Sequence, residues 1–348
     1  NIGTSLSDNS YDMLGYNGPI QEKGIPNVFN VFDLDNTKKR ATQEGWEEMT
    51  QSIFASAEVG WKSMLYLTLT GRNDWASQLA NSSTPCFFYP SVGLSGVISE
   101  MLTLPEFIDY MKVRGSFSSV GMPYPRNLTS PTYEYDEANQ QWKPKTHYPI
   151  KDLKPERTNS WELGLDMRLF KDFSLGFSWY LANTFNQTFD PKVSVSSGYS
   201  KIYLQTGYVR NSGVELSLGY GHTWNNHLHW ESNFTLSHNK NTIKDLVTSY
   251  IHPETGLPIT QNRLDVGGLG KARFILKKGG TLGDLYTQSD LKRDNSGMVE
   301  IDPSGALTTE DNLPDIKLGS VFPKANLAWN NRFEWRGISL SALFTARI

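Results

Sequence analysis

Strict two-residue alternation over unusually long stretches is the feature of this sequence that most constrains its fold. The clearest example is residues 161–169, WELGLDMRL, in which apolar side chains alternate with polar or small ones. A strand in a soluble protein averages about five to six residues. A strand tilted across a bilayer needs about nine to eleven, with apolar side chains outward and polar ones inward. The pattern therefore predicts an all-β protein whose strands form the wall of a transmembrane antiparallel β-barrel.

The alternation recurs along the chain, which separates a barrel wall from a single amphipathic segment. Further copies occur at residues 65–69, 173–181, 214–220, 228–236, 325–335 and 338–344. We predict about ten such strands.

Composition is compatible with one large β unit and excludes several other classes. The 348 residues carry a net charge of -3 with no basic stripe, so nucleic acid is not an expected partner. A mean hydropathy of -0.45 argues against a helical membrane protein. It is compatible with a barrel, because half of each barrel strand faces water. The single cysteine, Cys86, excludes an intrachain disulfide.

The predicted connections alternate between short turns and long loops, as in outer-membrane barrels with short periplasmic turns and long extracellular loops. Short turns are expected near 61–63, 171–172, 225–226 and 335–337. Long loops are expected at residues 1–45, 76–86, 120–157, 189–208 and 243–320. With these directions the chain would open inside an extracellular loop, and Ile348 would lie at the outer surface with at least one strand still to follow.

Five motifs, in order and at consistent spacing, carry a family resemblance over nearly the whole chain. They are residues 71–75 (GRNDW), 87–95 (FFYPSVGLS) followed by Ser99-Glu100, 153–166 (LKPERTNSWELGLD), 211–216 (NSGVEL), and Leu318-Gly319 with Pro323-Lys324. Together they resemble the SusC/RagA family of TonB-dependent outer-membrane transporters.

The resemblance implies a fold and a function for a longer parent protein. Barrels of this family have about 22 strands, so residues 1–348 would form the C-terminal half of such a barrel. The plug domain and the TonB-contacting segment would lie outside this chain. The implied function is active import of large nutrients across the bacterial outer membrane, with oligosaccharides favoured and peptides as the alternative cargo. The implied partners are the protein's own plug, the TonB complex and a SusD-like lipoprotein that closes the extracellular mouth.

Charged side chains on the inward-facing positions of the predicted strands form the first group of candidate site residues. They are Arg72, Glu162, Asp166, Arg168 and Glu215. Because the lumen of such a barrel is polar, we expect these residues to contact the plug or water rather than cargo. For Arg72 we favour an ion pair with Asp74 in the wall near the outer rim, with contact to cargo as the alternative. The glycines at 164, 176 and 219 would leave room for the plug or allow the wall to curve.

Aromatic residues divide into two groups by position. Those on apolar strand faces suit the girdles at the two membrane interfaces: Trp161, Trp179, Trp230, Trp329 and Trp335. Those in or beside extracellular connections are candidates for stacking on cargo, although loop packing and lid contact explain them equally well: Trp75, Phe88, Tyr89, Tyr133, Tyr135 and Trp142.

Signals for metals, cofactors or catalysis are weak, and we predict neither an enzyme nor a cofactor. His222, His227 and His229 surround one periplasmic turn and are best explained as solvated turn residues. Asp294, followed by Glu300 and Asp302, resembles a degenerate calcium loop but lacks the full set of ligands, so a polar surface turn is favoured.

Two other function classes share some of these features. A passive porin would have the same wall, but the loops here are long for a simple diffusion channel. A soluble all-β carbohydrate-binding protein or hydrolase would have shorter strands and would bury its tryptophans in a core. Dependence on detergent distinguishes the soluble protein from either barrel.

Overall fold

A computed structural model describes most of the chain. The described residues are 1–25, 27–28, 30–122, 126, 128, 133–136, 139, 141–144, 147–148, 154–189, 201–202, 204–224, 227–251 and 258–348.

The described elements are almost all β-strands. In the first half of the chain they are β1 (Ile2–Asn17), β2 (Arg40–Trp61), β3 (Leu65–Ala76), β4 (Cys86–Val97), β5 (Ile108–Met122), β6 (Tyr133–Asp136), β7 (Gln141–Pro144), β8 (His147–Tyr148), β9 (Glu156–Leu169), β10 (Phe173–Phe189) and β11 (Lys201–Ile202). In the second half they are β12 (Leu204–Trp224), β13 (Leu228–Asp245), β14 (Val247–Ile251), β15 (Pro258–Gln261), β16 (Arg263–Leu269), β17 (Ala272–Lys277), β18 (Asp284–Leu291), β19 (Thr309–Ser320), β20 (Asn326–Trp335) and β21 (Ile338–Arg347). Short helical turns occur at Val31–Asp33, Ser77–Leu79 and Ile98–Met101. Within the described ranges no helix has both the length and the apolar character needed to cross a bilayer.

Eleven strands form one continuous antiparallel sheet, which we call the wall. Their order is β1-β2-β3-β4-β5-β9-β10-β12-β13-β20-β21, so each wall strand pairs with the wall strand that precedes it in the chain. The wall strands are long; β9 has 14 residues and β10 has 17. This length suffices to cross a bilayer at a tilt, and the all-β, antiparallel prediction is confirmed.

The register separates the two faces of the wall as the alternation predicts. Phe117 of β5, Trp161 of β9 and Leu181 of β10 are paired side by side and lie on the same face of the wall. Leu165 of β9 and the residues paired with it lie on that face as well. We call this the apolar face, and the opposite face, with Glu162 and Asp166, the polar face. Leu163 on the apolar face is 55% exposed within the chain, as expected for a side chain whose partner is lipid.

The short turns lie where they were predicted, and their backbone explains their tightness. Residues with positive φ occupy the centres of three of them: Lys62 (50°) and Ser63 (57°), Phe170 (49°) and Lys171 (65°), Arg336 (48°) and Gly337 (86°). Two successive positive φ angles define a type I′ turn, whose twist matches that of a hairpin. The predicted turn at 225–226 lies outside the described residues. We call this edge of the wall the turn end and the opposite edge the loop end.

The prediction that residues 1–45 form a loop is wrong. Ile2–Asn17 is a wall strand paired along its whole length with residues 40–55, and β2 begins at Arg40. The alternation fails here because the paired segments extend well beyond the bilayer height, where Asp8 and Glu47 replace apolar side chains on the apolar face. Above the membrane, side chains on this face contact water instead of lipid and need not be apolar.

The long connection at 243–320 contains a sheet of its own, which the sequence analysis did not predict. Strands β16, β17, β18 and β19 form a four-stranded antiparallel sheet, here called the loop sheet. Its core includes Leu264 and Leu276, which pack with Val209 and Ile243 from the loop ends of β12 and β13. Backbone hydrogen bonds between Ile243 and residues 279–280 reinforce the contact at 2.8 Å each. The loop sheet is therefore fixed to the loop end of the wall.

Candidate functional site

Arg114 is the centre of a charged network on the polar face of the wall. It donates through Nη1 to Asp166 Oδ2 at 2.9 Å and through Nη2 to Glu162 Oε1 at 3.1 Å and Ser178 Oγ at 2.7 Å. One side chain thus joins β5, β9 and β10. Sequence analysis missed Arg114, although its position between Val113 and the apolar-face Phe117 follows the same alternation.

Gly164 leaves the space that the Arg114 side chain occupies. A Cβ added at Gly164 would lie 2.6 Å from Arg114 Cζ, closer than atoms can approach. The space above this glycine is filled by the guanidinium group rather than left open for a plug. The network therefore depends on a glycine directly opposite an arginine in the β5–β9 register.

The remaining predicted inward residues lie on the same face at other positions. Arg168 pairs in register with Ser174, and Glu215 pairs with Ser178 and Ser237. Glu215 and Asp166 line a cleft of about 880 Å³ beside the strand pairs β10–β12–β13. The structure thus places Glu162, Asp166, Arg168 and Glu215 on one face; their contact with a plug stays a prediction.

Nearer the loop end, Arg72 forms the expected ion pair within the wall. Its Nε donates to Asp74 Oδ1 at 2.6 Å and its Nη2 to Ser52 Oγ at 2.8 Å. Its guanidinium group also lies 5.9 Å from the centre of the Phe54 ring. Asp74 is buried at 8% exposure, so the pair is a fixed charged feature of the polar face.

A second cluster at the loop end was missed because Tyr11 and Arg126 lie in two different segments that were predicted as loops. Tyr11 and Trp46 stack with ring centres 5.7 Å apart. Arg126, from the connection after β5, lies 3.8 Å above the Trp46 ring and donates to Glu48 Oε1 at 2.5 Å. The polar face of β1–β3 therefore presents aromatic and charged groups side by side where the wall meets the loops.

The five candidate cargo aromatics whose side chains the structure describes lie in three different places. Trp75 and Phe88 alternate onto the apolar face and are 43% and 54% exposed. Tyr89 lies on the polar face against Phe87, with ring centres 4.8 Å apart. The other two described rings occupy the β6–β7 hairpin, and the side chain of the sixth, Tyr133, lies outside the described residues.

The β6–β7 hairpin presents the most accessible pair of rings in the group. Tyr135 and Trp142 face each other across it with ring centres 5.2 Å apart and an interplanar angle of 64°. They are 42% and 67% exposed. This hairpin belongs to a loop, so its rings are free to meet a large ligand outside the wall.

Aromatic packing at the turn end matches a membrane girdle. Trp230 stacks on Phe333 at 5.6 Å and contacts Tyr220 at 5.1 Å. The predicted girdle tryptophans all occupy apolar-face positions: Trp161, Trp179, Trp230, Trp329 and Trp335. Rings with one polar edge are typical of the membrane interfaces.

The histidines around the β12–β13 turn make ordinary hydrogen bonds. His222 Nδ1 lies 2.7 Å from Asp172 Oδ2, and His229 Nδ1 lies 2.9 Å from Thr223 Oγ1. Within the described ranges no group of three or more His, Cys, Asp or Glu side chains is arranged to hold a metal.

The Asp294 segment is a capped turn. Asp294 Oδ1 accepts hydrogen bonds from Ser296 N at 2.8 Å and Met298 N at 2.9 Å. Those bonds, together with one from the Ser296 hydroxyl, hold the pKa of Asp294 below its usual range. The same arrangement repeats at Asp302. This carboxylate oxygen is already used by the turn, in agreement with the favoured surface-turn interpretation.

Comparisons with known proteins agree with this geometry. A family model described as TonB dependent receptor-like, beta-barrel, matches residues 2–294. The chain is 23% identical over 296 residues to TonB-dependent receptor P39 of Formosa agariphila, covering 82% of this chain and 25% of P39.

Solved structures show the same fold. The RagAB peptide transporter matches with a TM-score of 0.76 and 17% identity over 99% of this chain and 38% of that chain. Its 'open-open' state gives a TM-score of 0.73 and 18% identity over 100% and 38%. The outer membrane transporter YddB of Escherichia coli matches at 0.51 and 11% identity over 99% and 46%. The chain thus spans less than half the length of these relatives.

Proposed function

The chain belongs to the TonB-dependent receptor-like β-barrel family, and we propose that it supplies part of the wall and loops of an outer-membrane importer of large nutrients. Proteins of this family lie in the outer membrane and act as receptors and transporters, so the chain is a membrane protein and not an enzyme. The observation that carries the proposal is the eleven-stranded wall, with one apolar and one charged face, in a chain that matches this family over residues 2–294.

The polar face is suited to contact a plug domain contributed by another part of the polypeptide. The Arg114 network joins three strands, and Arg168 and Glu215 lie on the same face. Charged groups in a water-filled lumen find hydrogen-bond partners either in solvent or in a polar domain that fills it. In this proposal TonB acts on the plug from the periplasm, and the wall changes little.

Oligosaccharides are the cargo that we favour. The exposed Tyr135–Trp142 pair offers flat rings on which the apolar faces of sugar rings can stack. Its position on a hairpin between β5 and β9 places it at the loop end, where cargo must first bind.

Peptides are the second candidate cargo. The RagAB proteins are described as a peptide importer, and their fold is shared by this chain. The ion pairs Arg72–Asp74 and Arg126–Glu48 place both charges on the polar face near the loop end, which suits the charged termini and side chains of peptides.

A SusD-like lipoprotein is the proposed lid. The loop sheet and its turns expose several large apolar side chains: Val266 (51%), Leu269 (89%), Met298 (69%), Ile301 (64%) and Leu307 (60%). Exposed apolar side chains in this number suit contact with another protein.

The test uses the intact polypeptide extracted in detergent from outer membranes. Calorimetry of the extracted polypeptide with size-fractionated oligosaccharide and peptide mixtures identifies the cargo class. Uptake of labelled cargo by intact cells that make the polypeptide, before and after collapse of the proton gradient, tests the energised step. Trp142→Ala should weaken oligosaccharide binding about tenfold, whereas the matched change Trp335→Ala at the turn end should not. Binding of peptides alone would select the second candidate, and uptake that survives loss of the gradient would refute active import.

A further inference from the structure

Three strands of the wall carry a cation at the same height on the apolar face. Each cation is counted from the last residue of its strand at the turn end. Arg157 of β9 lies twelve residues from Leu169, and Lys240 of β13 lies twelve residues from Leu228. Arg210 of β12 lies fourteen residues from Trp224. All three share the apolar face in the register. We call Arg157, Arg210 and Lys240 the basic belt.

The basic belt lies just outside the hydrocarbon layer. Twelve to fourteen tilted residues rise about 30 Å, whereas the apolar band of an outer-membrane barrel is about 25 Å tall. On each strand the apolar positions end at Trp161, Val214 or Leu236, and one neutral or weakly basic polar residue separates them from the cation. These residues are Asn159, Ser212 and His238. The cations therefore reach the level of the lipid headgroups in the outer leaflet.

Neutral partners hold both guanidinium groups in place. Arg157 donates to Ser119 Oγ at 2.8 Å and to the Phe88 carbonyl at 3.1 Å. Arg210 donates to Asn183 Oδ1 at 2.9 Å and to the Tyr208 hydroxyl at 2.6 Å. Their orientation is fixed while their charge is not cancelled.

Arginines on the polar face are held differently. Arg72, Arg114 and Arg126 each form an ion pair with at least one carboxylate. Among the residues that the structure describes, no carboxylate pairs with Arg157 or Arg210. Arg157 and Arg210 on the lipid-facing side thus keep their positive charge, whereas carboxylates neutralise these three arginines on the polar face.

We propose that the basic belt binds the phosphate of an anionic lipid headgroup in the outer leaflet. Guanidinium groups match phosphate oxygens in charge and geometry, and cations at the membrane surface attract anionic lipids. This site is separate from the proposed plug contacts on the polar face and from the Tyr135–Trp142 pair proposed for cargo.

Charge elsewhere on the apolar face restricts the site to one side of the wall. Above the apolar band of β1 and β2, the same face carries Asp8, Asp12 and Glu47. Their like charge disfavours phosphate there. The lipid is therefore expected beside β9–β13 and not beside β1–β2.

Native mass spectrometry of the intact polypeptide in detergent tests this site. The probes are diphosphorylated lipid A and the same lipid after removal of both phosphates. The wild-type protein should bind the phosphorylated form far more tightly, and the triple change R157Q/R210Q/K240Q should weaken that binding roughly 100-fold. Two control variants should bind as the wild type does: E47Q on the opposite side and R293Q, which removes a cation from an extracellular loop.

Two results would overturn the proposal. One is a folded triple variant, judged by heat-modifiable migration, that retains lipid A as well as the wild type. The other is equal binding of both lipid forms by the wild type, a comparison that needs no variant at all.

Discussion

The wall and the loop sheet are both antiparallel β-structure in one chain, yet different surroundings stabilise them. In the wall, large side chains such as Leu340 and Phe344 are 69% and 60% exposed within the chain. In the loop sheet, Ile275 is 1% exposed and the carboxylate of Asp284 is fully buried. The apolar side chains of the wall face lipid, whereas the loop sheet is surrounded by water and must bury its apolar side chains in a core of its own.

The wall and the loop sheet are vulnerable to different kinds of substitution. A wall whose apolar side chains face lipid depends mainly on its register and on close approach between strands. A small sheet in water depends on a few buried groups, because it has little apolar area to bury. Substitutions should therefore separate the two regions by the kind of change that damages them.

The largest effect is expected for Asp284→Ala in the loop sheet. Asp284 accepts hydrogen bonds from Lys317 Nζ and the Thr281 hydroxyl, both at 2.7 Å, and from Thr281 N at 3.1 Å. Burial alone raises its pKa, but the bonds from Lys317 and Thr281 outweigh burial and lower it. Loss of the acceptor should destabilise the loop sheet by about 3 kcal/mol, measured as faster amide exchange in residues 263–320.

The wall supplies the control for this change. Heat-modifiable migration of the intact polypeptide should be unchanged in Asp284→Ala, and amides of β9 and β10 should exchange as in the wild type. Faster exchange in both regions would mean that the wall and the loop sheet unfold together and are not stabilised separately.

A smaller effect is expected for Gly213→Ala in the wall. The Tyr180 hydroxyl lies 2.5 Å from where the added Cβ would be, and the His238 carbonyl is closer still. Tyr180 can rotate away but the carbonyl belongs to the backbone of β13, so the strand pair must shift. We expect a loss of about 2 kcal/mol, seen as a lower temperature for heat-modifiable migration. Gly221→Ala, whose Cβ would meet no atom within 4 Å, is the matched control and should leave that temperature unchanged.

Acid should weaken the loop sheet by protonating Asp315. Asp315 lies 2.7 Å from Arg263 and 2.8 Å from Lys277, and the hydrogen bond from Arg263 is the main cause that holds the pKa of Asp315 below its usual range. A lowered pKa in the folded state means that the stabilisation is complete above the ordinary aspartate pKa of about 3.9 and is lost as pH falls below it.

The size of this acid effect is modest because Arg263 is 42% exposed. We expect about 1 kcal/mol, measured as the difference in loop-sheet amide exchange between wild type and Asp315→Asn. That difference should shrink as pH falls below about 3.9. A difference that stays constant down to lower pH would show that the charge of Asp315 does not stabilise the loop sheet.

The same contrast explains what the sequence could predict. Lipid on one face of the wall and the polar lumen on the other impose the alternation, so the sequence predicts β9 and β10 nearly to their ends. Above the bilayer that requirement disappears, so the sequence predicts a loop where most of β1 and the first residues of β2 lie. The sequence does not predict the loop sheet because β16, β17 and β18 have only 7, 6 and 8 residues. Register shifts in two of its pairings also break the two-residue pattern.

Within the candidate site, single strands were easier to interpret than contacts between strands. The inward positions of Glu162 and Asp166 follow from alternation alone. Their partner Arg114 lies 48 residues from Glu162, and only the β5–β9 register joins them. The Trp46–Arg126 contact likewise needs the path of a long connection, which local pattern does not predict.

The smallest effect is expected in the turn at Asp302, which tests how local order arises in the loop sheet region. Asp302 Oδ1 accepts hydrogen bonds from Ser304 N at 2.8 Å and Ala306 N at 2.9 Å, and the group is exposed. Asp302→Ala should speed amide exchange at Ser304 and Ala306 only, because it removes the acceptor of these local hydrogen bonds, whereas Asp302→Asn keeps the acceptor and should exchange like the wild type. If Asp302→Ala instead speeded amide exchange throughout β18 and β19, the stability of the loop sheet would depend on this turn as well as on its buried core. The loop sheet would then resemble the wall, whose stability depends on strand register.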